Sequence, residues 1–268
     1  MHRGGEFEGD LSLSPRIRFD EAASKAQATF RFFWRELSWE RRRIIPALEQ
    51  ACVKVPFSDD DAPSKIEHMW ISEIDFDGKV VSGYLINEPN ELKSVTVGQK
   101  VEVPLSGIED WVFAIAGKAY GAFTVNLIRT RMSAAERKAH DAAWGLDFGD
   151  PKRPRLYPDE NSEDTGLIDR LFPNNNRSIH QEHPMSLNMV PKFVEYLDKN
   201  PHSINQPDEN GWTMLHSESL AGNRAPVEIL LAKGADHTQQ TRHGMTALDL
   251  AESLQWHSIS EVLRAVRD

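Results

Sequence analysis

Glu67, His68 and Asp110 are the side chains of this sequence that could do acid–base chemistry, with Trp70 and Trp111 beside them. A carboxylate next to an imidazole is the simplest general acid–base couple. Glu67, His68, Asp110 and Trp111 together could also line a small-ligand pocket. Spacing argues against both. Glu67 and His68 are adjacent in a segment that reads as a strand, so they point to opposite faces and share a pocket only through a bulge. No activated nucleophile stands near them. The chain contains no G-x-x-x-x-G-K-[ST], G-x-G-x-x-G or G-x-S-x-G. No catalytic residue is therefore assigned, and the aromatics are expected in the core. His180 and His183 have H-x-x-H spacing, but Pro184 follows, and His202, His216, His237, His243 and His257 are scattered. A zinc site needs about four converging ligands, so no metal and no cofactor is expected. Cys52 is the single cysteine; it precedes an apolar run and should be buried rather than reactive.

The elements that would position these groups read as follows. Ala22, Ala26, Phe30, Phe33, Trp34 and Leu37 follow helical spacing behind Asp20, the expected cap. Helix could resume around Pro46, among Ile44, Ile45 and Leu48. Val53, Val55 and Phe57 alternate as a strand, and "SDDDAPS" is a loop. "IEHMWISEIDFDGKVVSGYLINEP" reads as two strands joined at Asp77-Gly78, a hairpin signal. "QKVEVPL", "DWVFAIAG" and "AYGAFTVNLI" supply three more. "SAAERKAHDAAW" is a closing helix with Ser133 and Glu136 as a capping box. The implied class is α+β, an antiparallel sheet with flanking helices. Gly149 to Asp164, rich in Pro and charge, reads as a linker. The divisions are 1–150, a linker at 151–177, and an all-α region at 178–268.

That last region contains a repeat. Gly211, Thr213 and Leu215 recur as Gly244, Thr246 and Leu248, each 33 residues later. With Asp208, His216, Gly222, Val227, Leu230, Leu231, Gly234, Ala235 and Asp236, the pattern resembles ankyrin repeats. Gly211 permits a positive φ, Thr213 caps a helix, and Gly234 ends one. Met214 stands where that family has Pro, and Ala247 and Asp249 replace the usual Pro and His. Two repeats are clear. A third is degenerate, carried by Phe193, Val194, Tyr196 and Leu197. About three repeats are needed for stability, so the array should lean on the upstream domain or on the segment from Leu167 to Phe172. The resemblance implies partner binding by the loop tips and the concave helix face. Exposed candidates are Asp208, Glu209, Asn210, Trp212, Gln239, Gln240, Arg242 and His243.

A second resemblance covers roughly Ala22 to Asp150. "EHMW", Asp77-Gly78, "GYLINEP", "VGQKVEV", "IEDW" and "GAFT" together resemble the YegJ-like domain-of-unknown-function family of bacteria. That family has no activity to carry over. Its occurrence beside ankyrin repeats is similar to the architecture of bacterial immunity proteins, which implies a protein that binds and neutralises a cognate toxin.

Bulk properties agree with a binding role. Hydrophobic residues make up 40% and charged residues 27% of the chain, which is ordinary for a globular protein, and there are seven Trp. Net charge is −10 and neither half is basic, which argues against nucleic acid. The Arg41-Arg42-Arg43 run reads as a solvated helix face. An acidic surface speeds encounter with a basic partner. The loop Asp59, Asp60, Asp61 and Trp212 are the expected contact anchors. "MHRGGEFEGDLSLS" lacks the apolar core of a signal peptide, and the longest apolar run is six residues, Trp111 to Ala116. The expected setting is cytoplasmic, with no membrane contact and a protein partner, a cognate toxin domain that the acidic surface would help capture if basic.

Overall fold

In the computed structural model, residues 15–157 and 182–266 are described. A single helix, α1 (Pro15–Glu40), lies between the two halves of the chain. One of its faces carries Ala22, Ala26, Phe30 and Phe33, as the helical spacing predicts, and these are buried on the sheet. A second face carries Phe32, Arg35 and Trp39, also buried, and packs on the C-terminal helices. The helix begins at Pro15, so Asp20 lies inside it and is not its cap. Nor does helix resume at Pro46; the chain turns there and enters β1.

The strands are β1 (Leu48–Phe57), β2 (Glu67–Phe76), β3 (Val80–Leu85), β4 (Lys100–Pro104), β5 (Asp110–Ile115) and β6 (Lys118–Gly121). They form a 6-stranded sheet in the order β4-β3-β2-β1-β5-β6, antiparallel throughout. The expected hairpin is present: Asp77 N–H donates to the carbonyl of Val80, and Gly78 takes φ +96°, open to glycine without strain. Alternation sets the two faces. Val53, Val55, Ile71, Leu85, Trp111 and Phe113 face α1. Cys52, Trp70, Val112 and Ala114 face the opposite side, where Val125, Trp144 and Phe148 cover them.

The stretch expected to be one strand, Ala119 to Ile128, divides in two. β6 ends at Gly121, and α2 (Phe123–Arg129) follows. α3 (Ala134–Trp144) closes this half with the expected capping box between Ser133 and Glu136.

After the undescribed residues 158–181 come α4 (Pro184–Lys199), α5 (Met214–Ala221), α6 (Arg224–Ala232), α7 (Ala247–Ser253) and α8 (His257–Ala265). The expected segment Leu167 to Phe172, and His180, lie outside the described residues. α5–α6 and α7–α8 are helix pairs at the 33-residue spacing of the sequence repeat. Each first helix is capped as expected: the Thr213 side chain accepts from the His216 N–H, and that of Thr246 from the Asp249 N–H. The apolar interior is continuous from the sheet through α1 into these helices. The upstream half therefore supplies the burial that so short a helical array lacks on its own.

Candidate interaction surface

The four residues of the possible ligand pocket serve four separate structural ends. Asp110, fully buried at the start of β5, accepts hydrogen bonds through Oδ1 from the N–H groups of Trp111 (2.9 Å) and Phe123 (2.8 Å). Its Oδ2 accepts from the Thr124 N–H (2.7 Å) and Oγ1 (2.6 Å). The Phe123 and Thr124 N–H groups are free donors at the start of α2. The residue at the cap position, Ala122, is left-handed (φ +56°) and has no polar side chain to offer. A carboxylate 13 residues upstream does the capping. Burial pushes the Asp110 carboxyl up, and its hydrogen bonds oppose that shift.

Glu67 points away, accepting from the N–H groups of Asn90, Glu91 and Leu92, which hold its pKa below the ordinary carboxylate range. Trp111 donates from Nε1 to the Ala26 carbonyl at 2.9 Å and so fastens α1 to the sheet. His68 Nδ1 lies 2.6 Å from Glu109 Oε2, a partner the sequence reading missed although it sits in "IEDW". Lys54 was missed too. Its Nζ is 3.4 Å from Thr124 Oγ1 and lies over the rings of Phe19 and Trp70, at 5.4 and 5.9 Å. Burial lowers its pKa, against the pull of Asp110 and Glu109. Burial likewise raises the Cys52 thiol. Among the described residues, no three His, Cys, Asp or Glu side chains are grouped to hold a metal ion.

The residues expected at the contact surface are arranged by equally local physics. Asp208 Oδ1 accepts from the N–H groups of Asn210 and Trp212, both at 2.8 Å, which fixes the first loop tip with Gly211 at φ +78°. The Arg242 N–H donates to the Asn210 carbonyl (3.0 Å), joining one tip to the next. His216 Nδ1 accepts from the Thr213 N–H, so its proton sits on Nε2 and is donated to the Gln239 carbonyl at 3.0 Å. Burial lowers the His216 pKa. Glu209, Asn210, Gln240 and Arg242 remain exposed around these fixed tips. In the acidic loop, Asp60 and Asp61 are exposed, while Asp59 accepts from the N–H groups of Lys93 and Ser94.

Two expected contact residues, Trp212 and Gln239, are half-buried, and a third, His243, is exposed but tethered. Trp212 is half-buried, packed on the core with its ring edge toward His216. His243 Nδ1 reaches back 2.6 Å to Asp77 Oδ2 on the β2–β3 hairpin. The Gln239 side chain donates to the Asn205 carbonyl. Of these links, the His243–Asp77 contact joins a loop tip to the sheet half, and the other two stay within the helical half.

The helix face expected to be open is covered as well. α5 buries Leu215, His216, Glu218, Ser219, Leu220 and Ala221. Beneath it, Glu218 meets Arg42 at 2.9 Å and accepts from Asn223 Nδ2 at 2.6 Å. Asn223 Oδ1 accepts in turn from Trp39 Nε1 at 3.2 Å. Phe32 meets Trp256 edge-on at 6.1 Å. Gly78 packs on α7: a Cβ there would come 2.5 Å from Leu250 Cδ2. The arginine run is solvated at Arg41 and Arg42, as expected, but lies just past the end of α1, and all three side chains are ion-paired. Arg41 pairs with Asp75, Arg42 with Glu218, and Arg43 with Glu36 and Glu40. Nearby, His183 accepts from the Met185 N–H at Nδ1 and turns Nε2 toward Glu36 at 2.7 Å, where burial lowers its pKa.

These features define a class: an antiparallel α+β sheet domain whose long helix serves as the seat for a set of helix pairs. The chain is 44% identical over 250 residues to a Neisseria meningitidis serogroup B protein named as an ankyrin repeat protein, covering 93% of this chain and 92% of that one. It belongs to the family of that protein. Residues 17–148 match the model of a family described as an uncharacterized protein conserved in bacteria, DUF2314. The Escherichia coli K12 protein YegJ is 27% identical over 74 residues, 28% of this chain and 46% of its own length. A Homo sapiens NAD-capped RNA hydrolase is 31% identical over 78 residues, 29% of this chain and only 17% of its own length. No helix of the described residues is long and apolar enough to cross a membrane.

Proposed function

We propose that this chain is a non-catalytic protein-binding module, and that it acts as an immunity protein that holds a cognate bacterial toxin inactive by occluding its working surface. The observation that carries the binding reading is the fixing of the loop tips. Asp208 and the Asn210–Arg242 backbone bond hold Glu209, Asn210, Gln240 and Arg242 in place before any partner arrives. Pre-ordered contact groups lower the entropic cost of association. The relative named as an ankyrin repeat protein supports a partner-binding role. The immunity reading draws on the resemblance of a YegJ-like domain joined to such repeats, and a cytoplasmic setting goes with it. A net charge of −10 suits capture of a basic toxin domain.

Because α1 covers α5, the partner surface is shifted from the inner helix face to the exposed tips and the Asp60–Asp61 loop. Co-expression with a toxin encoded beside this gene tests the idea. The expected result is a one-to-one complex and restored growth. Both should weaken when Glu209, Gln240 and Arg242 are replaced together by Ala. Rescue that persists without complex formation but is lost with His68→Gln would overturn it in favour of enzymatic protection.

A further inference from the structure

A cleft of about 340 Å³ lies where α1 meets both the turn before β5 and the end of α7. One wall is the face of α1 bearing Ser24, Gln27 and Arg31; the others are Ser106 and the Ser253–Gln255 segment. Its polar lining is hydroxyl, amide and one guanidinium, beside the apolar Ala28, Leu105 and Leu254, and among the described residues no carboxylate borders it. Arg31 is the point of interest. Its Nη1 donates to the Gln255 carbonyl at 3.1 Å, and its carbon stacks 5.0 Å from the Phe32 ring centre and 5.7 Å from that of Trp256. Its Nε is buried with no acceptor. Among the described residues Arg31 has no ion-pair partner, unlike Arg41, Arg42 and Arg43. The next turn of the helix brings a second guanidinium, Arg35, over the same two rings. The Ser24 and Ser253 hydroxyls and the Gln27 amide donate to backbone carbonyls, so the Ser106 hydroxyl is left as a donor beside Arg31. A half-buried cation held on aromatic faces and lacking a counter-ion is a preformed receptor for an anion.

We infer that this cleft binds a carboxylate, with Arg31 as its charged anchor and the Ser106 hydroxyl as the neighbouring donor. A carboxylate suits it better than a phosphate because Arg31 is the one guanidinium lining the cleft, Arg35 being fully buried behind it, and one guanidinium balances one negative charge, whereas a phosphate dianion calls for more. The volume is at the small end for ligand sites, which fits a short organic acid or the end of a peptide chain. The inference does not depend on the immunity reading.

The test titrates the full chain with succinate and follows backbone amide shifts at Arg31, Ser106 and Gln255. Saturable binding with a roughly millimolar Kd is expected, as suits so few contacts. It should weaken by about tenfold or more in Arg31→Gln. Ser106→Asp, which supplies a carboxylate within the cleft, should abolish binding without lowering the thermal midpoint, and this serves if Arg31→Gln folds poorly. Neutral succinamide should not bind. A tripeptide with a free C-terminus that binds more tightly than succinate, and than its amidated form, assigns the carboxylate to a protein chain end. Equal or weaker binding assigns it to a small acid. The inference is overturned if succinate gives no saturable shift, if Arg31→Gln binds equally well, if succinamide competes, or if inorganic phosphate binds more tightly.

Discussion

Replacing Asp110 by Asn is the sharpest probe of how this fold is held. The carboxylate oxygens of Asp110 divide the work: Oδ1 serves the N–H groups of Trp111 and Phe123, and Oδ2 serves the Thr124 N–H and hydroxyl, with the Val125 N–H at 3.4 Å. An amide has the same shape but one acceptor oxygen. Whichever way it turns, its NH₂ faces two backbone donors that then lose their acceptor; only the Thr124 hydroxyl can rotate to suit. Each buried donor left without a partner costs about 1–3 kcal/mol, giving roughly 2–6 kcal/mol for two. Relief from burying a charge offsets part of this, leaving about 2–4 kcal/mol. The measurement is urea unfolding followed by tryptophan fluorescence, with the slope held equal between proteins. For a chain of this size the thermal midpoint should fall by about 5–10 °C. Thr124→Val in the Asp110→Asn background should cost less than it does in the unmodified protein, since the two residues share one bond. A loss under about 0.5 kcal/mol for Asp110→Asn would refute the account of α2 as a helix capped from β5.

Gly78→Ala should destabilise by about 2–3 kcal/mol, because its positive φ is disfavoured and the new Cβ meets Leu250; a fluorescence midpoint equal to that of the unmodified protein would show that the hairpin does not press on α7. Glu218→Ala leaves Asn223 and Arg42 without their acceptor under α5 and should cost about 2–4 kcal/mol, read as a lower urea midpoint. His183 and His216 both have pKa values lowered by burial, so the unfolded chain binds more protons than the folded one near and below the ordinary histidine value. Stability should therefore fall as pH drops from about 7 through 6.5 toward 5, and His216→Gln should flatten that slope in urea midpoints taken across the range.

The sheet and the repeats were legible in the sequence wherever the signal is local. Asp77-Gly78 fixed a hairpin, because few dipeptides turn so tightly. Ser133 with Glu136 and Thr213 with His216 marked helix starts, because a cap and its target lie three residues apart. Alternation separated Val53 and Val55 from Cys52, and so gave the two faces of β1. The contact residues were legible only as polar loop positions. Nothing local shows that His243 turns toward Asp77 or that Trp212 packs inward, since both depend on what the folded chain places opposite.

What the sequence determined by itself, then, is the repertoire of elements bounded by short-range rules: the strands, the capped helices and the 33-residue period. What only the tertiary structure decided is how α1 is used and how α2 arises. Phe32, Arg35 and Trp39 break the one-faced pattern of α1 because the helix is buried twice, once by the sheet and once by α5 and Trp256. Phe123 to Arg129 alternates like a strand, yet folds as a helix, because a carboxylate from β5 satisfies its first donors. Short-range patterns report a residue's neighbours along the chain, whereas hydrogen bonds and burial are completed by whatever lies nearest in space.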